Sequence, residues 1–244
     1  MARLFVGLGA AIGFAALVIF VFLVYVLLAS GQASYWEGDI AEFERRDISN
    51  PPPTGAILFV GDRDIRRWDS LSADMAPMAV VQRGFGGAHL AHLTHYAARI
   101  IKPYDPAAIV VMAGGADLAD VRGYRPEDVL EDFKIFVSAV RAHGIMAPIY
   151  FVSIRPSPLR ESRWFGAKRA NRLIETYANS TNGLHYIDVA NDMFAADGSM
   201  RSELFNWDGL SLSEEGYALL AKKIRPVLAA SVGTHDPDAE PIPR

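Results

Sequence analysis

The sequence predicts a three-layer α/β/α sandwich built on a five-stranded parallel sheet and preceded by one membrane-spanning helix. Three observations predict it. Five short apolar runs bounded by turns alternate with amphipathic segments of helical period, the pattern of a parallel sheet covered by helices on both faces. A long uncharged apolar stretch stands at the N-terminus, from Leu4 to Ala29. The chain has 244 residues, 51% of them hydrophobic, enough for one domain with a sizeable core plus appendages.

The apolar stretch comes first. As a helix it would be roughly 39 Å long, against a hydrocarbon core of about 30 Å. Arg3 precedes it and the acidic "WEGDIAEFE" follows, so the positive-inside rule puts the N-terminus in the cytoplasm and the rest outside. A cleaved signal peptide is the alternative, with "GQA" at Gly31 to Ala33 as its cleavage site. The apolar run is about twice the usual length for that reading. Residues 1–33 are therefore expected to be a membrane anchor of the inner membrane, contacting lipid through residues 4–29.

Residues 34–55 follow as a juxtamembrane helix over Ser34–Asp47 and a stiff "SNPPPTG" stop at Ser49–Gly55. The globular domain is expected over 56–232. Its strands are predicted at Ala56–Val60, Met78–Val81, Ala108–Met112, Ile149–Val152 and His185–Val189. Helices are predicted at about Ala88–Ile101, Pro126–His143, Glu161–Ala178 and Ser213–Ala230. The tail 233–244, "GTHDPDAEPIPR", has the composition of a disordered segment.

Composition narrows the function. Net charge is −4 and no long basic run occurs, so nucleic-acid binding has no electrostatic support. The absence of cysteine removes disulfides, thiol nucleophiles and thiolate metal sites. In parallel α/β sheets, ligands bind beyond the carboxyl ends of the strands, where strand order reverses. The strand ends here carry Gly61-Asp62-Arg63-Asp64, then "QRGFGG" (Gln82 to Gly87), "AGGADLAD" (Ala113 to Asp120) and "SIRPSPLR" (Ser153 to Arg160). "WDGLSLSEEGY" (Trp207 to Tyr217) stands before the last helix.

These blocks, in this order, resemble the SGNH (GDSL) hydrolase family. They look closest to a bacterial branch with a GSSSIR-W first block and an RGFGG second block. The resemblance implies the flavodoxin-like fold of that family and ester hydrolysis by a Ser nucleophile, a Gly and an Asn as oxyanion donors, and a His base. The serine position is Arg63 here. The glycine matches Gly84. The asparagine falls at Ala116 and the histidine at Ser211, while the histidine's acidic partner is kept as Asp208. Arginine offers donors only, alanine has no amide, and serine has no basic lone pair near neutral pH. Loss of one triad member typically costs about 10⁴ to 10⁶ in turnover.

The expectation is therefore a membrane-anchored, catalytically inactive relative that acts by binding an envelope protein or a glycan or lipid ligand, without cofactor or metal. An esterase with a rearranged site is the alternative. Candidate ligand-binding residues are Asp62, Asp64, Arg83, His89, His92, Asp117 and Arg155. Arg63 and Asp208 are expected to pair in the old nucleophile pocket, the other choice being an Arg63 turned to solvent. His89 and His92 could be a substitute base, two metal ligands or a half-exposed polar face. Arg63, Arg83, Arg155, Arg160 and Arg163 could ring an anion, or pair with Asp62, Asp64, Asp117 and Glu161.

Overall fold

The computed structural model describes residues 2–120 and 123–232, without the side chains of residues 2–11, 23, 27, 28 and 232. The tail expected at 233–244 lies outside the described residues. Elements follow in chain order: α1 (Ala2–Ala29), α2 (Glu37–Ser49), β1 (Ile57–Gly61), α3 (Arg63–Arg66), α4 (Leu71–Asp74), β2 (Val80–Gly84) and α5 (Leu90–Ile100). Then come β3 (Ala108–Met112), α6 (Gly115–Ala119), α7 (Pro126–Ala142), β4 (Ile149–Val152), α8 (Trp164–Asn179), β5 (Leu184–Ile187) and α9 (Glu214–Val232).

The five strands form one parallel sheet in the order β2-β1-β3-β4-β5. Period-two alternation splits their side chains between two cores. Leu58, Val60, Ile109, Val111 and Phe151 face α5, α7 and α8. Ile57, Phe59, Val110, Tyr150 and Val152 face Trp68 and α9. Full burial on both faces explains why the strands read as continuous apolar runs, each buried large side chain being worth about 1.5–3 kcal/mol.

β2 departs from the expected Met78–Val81 and runs to Gly84. Gln82 and Arg83 look too polar for a strand, but the structure satisfies both. The Gln82 amide donates to the Ile65 carbonyl. The Arg83 guanidinium donates to Asp47 of α2 and, at 2.7 Å, to the Tyr104 hydroxyl.

The segment between the apolar helix and the linker is part of the domain. Trp36, Ile40 and Phe43 are buried in the α5 side of the core. Arg99 of α5 clamps Glu37 and Glu44 of α2, both at 2.7 Å.

α1 is one uninterrupted helix. Its described side chains from Ile12 to Phe22 stand 50% or more exposed where large and apolar. Among the described residues no helix is long and apolar enough to cross a membrane. The expected span over residues 4–29 falls partly on side chains outside that description.

Candidate functional site

A cleft opens at the carboxyl ends of β1, β3 and β4, where the sheet order turns from β1–β2 to β1–β3. It holds a cavity of about 90 Å³. β1 delivers the first wall. Gly61 lies so close to β3 that a Cβ would stand 2.1 Å from the Met112 carbonyl oxygen, so only glycine fits. The Asp62 amide then donates to that oxygen at 3.1 Å. The Asp62 carboxylate caps α3 by accepting from the Asp64 amide at 3.0 Å. This turn sets Asp62, Arg63 and Asp64 side by side on the cleft.

Asp64 and Arg155 form a two-bond fork. Arg155 Nε and Nη2 each donate to one Asp64 carboxylate oxygen at 2.7 Å, and Nη2 also reaches the Leu210 carbonyl at 2.7 Å. The pair is nearly closed to solvent. Asp62 has no such partner. Burial first, and then the charge of Asp64, push its carboxyl up to about 7, against the Asp64 amide, Arg155 and Arg160.

The expected ion pair between Arg63 and Asp208 is not formed. Asp208 is held by its own turn. One oxygen accepts from the Leu210 and Ser211 amides at 2.9 and 2.8 Å, and the other from the Ser211 hydroxyl at 2.7 Å. Those bonds, the hydroxyl first, bring its carboxyl down to about 2, with the charge of Arg63 only a small addition. Ser211 Oγ also accepts from Arg67 Nη1 at 2.9 Å. Arg67 is thus tied to position 211, a contact the sequence did not signal. Arg63 makes no side-chain hydrogen bond or ion pair among the described residues, and neither does Arg163. Half-buried Arg160 donates to the Gly115 carbonyl at 3.1 Å. Burial chiefly lowers its pKa, the charges of Arg63 and Arg155 adding to that and Asp62 opposing it.

The remaining candidates divide. Ala116 lines the cleft and presents only a methyl group. Gly84 stands outside it: a Cβ there would meet the Arg66 amide nitrogen at 2.3 Å, so it serves the packing of β2 on α3. The glycine of that block on the cleft wall is Gly87. Arg83 points to Asp47, away from the cleft.

Asp117 is fully buried behind the cleft wall, where one oxygen accepts from the Leu90 amide at 3.1 Å and the other has no partner. Burial pushes its carboxyl up to about 7. His89 and His92 are buried and cap α5. His92 Nδ1 accepts from the His89 amide at 3.2 Å, so its Nε2 carries the proton and donates to the Gly31 carbonyl at 3.2 Å. His89 Nδ1 lies 3.7 Å from an Asp120 oxygen. The half-exposed reading of this pair is corrected: the two rings stack at 4.9 Å inside the fold. No group of three or more His, Cys, Asp or Glu is placed to hold a metal among the described residues.

Of the serines near the cleft, Ser157 lines it, and the hydroxyls of Ser153 and Ser211 are engaged. Ser153 Oγ accepts from the Val189 and Ala190 amides at 2.9 and 3.0 Å and ties down the loop after β5. Ser211 meets a carboxylate already too acidic to act as a base at neutral pH.

Comparisons with known proteins agree with the fold. The sequence profile of the GDSL-like Lipase/Acylhydrolase family matches residues 51–219. A Streptococcus pneumonia protein provisionally assigned as a platelet activating factor superposes with a TM-score of 0.69 at 19% identity, covering 87% of this chain and 99% of its own. A GDSL-like lipase from Bacteroides thetaiotaomicron gives a TM-score of 0.66 at 17% identity over 79% and 98% of the two chains. A catalytic mutant of an acetylxylan esterase from Geobacillus stearothermophilus gives 0.58 at 14% over 75% and 96%. No curated protein matches.

Proposed function

The chain belongs to the GDSL-like lipase/acylhydrolase family, and from that membership we propose that it is a member of the GSSSIR-W/RGFGG branch that binds at the family's cleft without hydrolysing esters. The single observation that carries this reading is the first strand end. Arg63 stands where the resemblance places the nucleophile, between Asp62 and Asp64 on the cleft wall. Among the described residues no histidine lines the cleft to activate a side-chain hydroxyl. Ala116 gives no side-chain donor to a developing oxyanion, and Ser211 is saturated by Asp208 and Arg67. The test is steady-state hydrolysis of short p-nitrophenyl esters by the purified chain.

The rearranged esterase is supported by one observation. Asp62 lies on the cleft with a carboxyl near 7, the range suited to a general base acting on water. Position 116 gives it no amide donor for the oxyanion and it has no side-chain nucleophile beside a base, so it ranks second.

The same proposal places the domain on the outer side of the inner membrane, held by α1. The support is an unbroken helix whose described apolar side chains from Ile12 to Phe22 have no protein cover, together with Arg3 before it and acidic residues after it. N-terminal sequencing of the mature protein tests it. A chain that begins at Ser34 would make the segment a signal peptide.

A further inference from the structure

The cleft and the anchor lie at the same end of the domain. Two bonds from α5 fasten the chain just after α1 to the domain, and a third, from Trp36, folds the segment on itself. Trp36 Nε1 donates to the Ser30 carbonyl at 3.2 Å, His92 Nε2 to Gly31 at 3.2 Å, and the Tyr96 hydroxyl to Ala33 at 2.7 Å. The Trp36 ring lies 3.6 Å from where a Cβ on Gly87 would stand, and Gly87 lines the cleft. A bilayer around α1 would therefore begin beside the cleft mouth.

The mouth has the composition of an interface with anionic lipid. Leu159 and Trp207, on loops that flank it, and Phe165, in the first turn of α8, stand 65%, 99% and 75% exposed. Leu159 is fixed to the neighbouring turn by its amide bond to the Gly209 carbonyl at 2.9 Å. Arg63, Arg160 and Arg163 line the cleft beside them, Arg160 and Arg163 close in sequence to Leu159 and Phe165. Among the described residues Arg63 and Arg163 have no hydrogen-bond or ion-pair partner, and Arg160 gives one bond to a carbonyl. The Asp64–Arg155 pair is already neutral, which leaves three guanidinium groups against Asp62 and, on the side of Arg63, the turn-held Asp208. Clustered cations that outnumber their counter-charges repel one another, and an oxyanion between them lowers that cost.

We propose that the cleft opens onto the membrane surface and that Arg63, Arg160 and Arg163 hold the phosphate of an anionic lipid headgroup, with Leu159, Phe165 and Trp207 entering the interfacial layer. The inference rests on the anchored, non-hydrolytic reading. Aromatic and aliphatic side chains at headgroup level and arginines on lipid phosphate follow the general behaviour of membrane interfaces.

The absence of cysteine gives the test a clean background. The full chain is made as Leu159→Cys or Met146→Cys, labelled with a fluorophore, and placed in bilayers of phosphatidylcholine or of an equimolar mixture with phosphatidylglycerol. Met146 is exposed at the opposite end of the sheet, just before β4. In the mixed bilayer the label at 159 should be quenched several-fold less by aqueous acrylamide than the label at 146. Arg63→Gln with Arg160→Gln, and separately the exposed Arg163→Gln, should raise quenching at 159 in the mixed bilayer and leave it unchanged in phosphatidylcholine. Equal quenching at both positions, or indifference to lipid charge and to the arginines, would overturn the inference. So would Arg63-dependent binding of inorganic phosphate in detergent while the label at 159 stays fully quenched on the bilayer, which assigns the site to soluble phosphate. A chain that fails to co-float with vesicles defeats the anchoring reading itself; co-flotation with equal quenching defeats this inference alone.

Discussion

Arg155 reaches across the cleft floor from the end of β4 to Asp64 in α3 and holds both of its carboxylate oxygens at 2.7 Å. The fork joins the segments that follow the first and fourth strands. With both side chains nearly buried, removing one strands the other. Asp64→Ala should destabilise the domain by about 3–5 kcal/mol, and Asp64→Ala with Arg155→Met by less than the two single changes together. Denaturant unfolding of the four proteins reads the coupling.

Arg63 and Asp208 should show none. Asp208 is satisfied by Leu210 and Ser211, so the cycle between Arg63→Ala and Asp208→Ala should stay within about 0.3–0.5 kcal/mol of additivity. A coupling above that would put the two side chains in contact.

Asp117 sets a pH dependence. Its carboxyl is raised in the folded state from 3.8 to about 7, so the folded state holds the proton more tightly than the unfolded chain. Its contribution to stability is fully present below about pH 4 and is lost as pH rises through 7. The loss is at most on the order of 4 kcal/mol. Asp117→Asn keeps the oxygen that accepts from the Leu90 amide and removes the ionisation. Its stability should be flatter between pH 4 and 7 than that of the parent, measured by chemical unfolding across that range.

Much of the fold was legible because a buried parallel sheet leaves an apolar signature that needs no partner to be seen. β3 and β4 were read with their observed limits. β2 was not, since Gln82 and Arg83 become acceptable in a strand only through Ile65, Asp47 and Tyr104, all distant in sequence or contributing backbone. The cleft was legible at Asp62, Arg63, Asp64, Ala116 and Arg155, because strand ends converge on it whatever the packing. It was not legible at Gly87, which differs from Gly84 only in how the loop turns. Nor was it legible at Arg67, whose bond to Ser211 joins positions remote in sequence. The docking of Trp36 and α2 on α5 also rests on long-range contacts that no local pattern announces.

Trp36 tests that docking. It is buried against Phe85, with ring centroids 5.7 Å apart, and donates to the chain just after α1. Trp36→Ala should cost about 3–5 kcal/mol. A cost near zero in thermal or chemical unfolding would mean that α2 is a loose linker, as its proline-rich end suggests.

Restoring one residue should not restore hydrolysis. Arg63→Ser supplies a hydroxyl, but Ala116 and Ser211 still give neither oxyanion donor nor base, and Arg67 occupies the space beside position 211. Arg63→Ser should turn over p-nitrophenyl acetate no faster than its parent. The triple change Arg63→Ser, Ala116→Asn, Ser211→His should gain from the further change Arg67→Ala, which clears room for the imidazole.

The most direct measurement is the rate at which the unaltered full chain, purified in detergent, hydrolyses p-nitrophenyl acetate near pH 7. The account predicts a rate indistinguishable from buffer with detergent, unchanged in Asp62→Asn. Saturable turnover that disappears in Asp62→Asn would contradict it, and would make Asp62 the base of a working esterase.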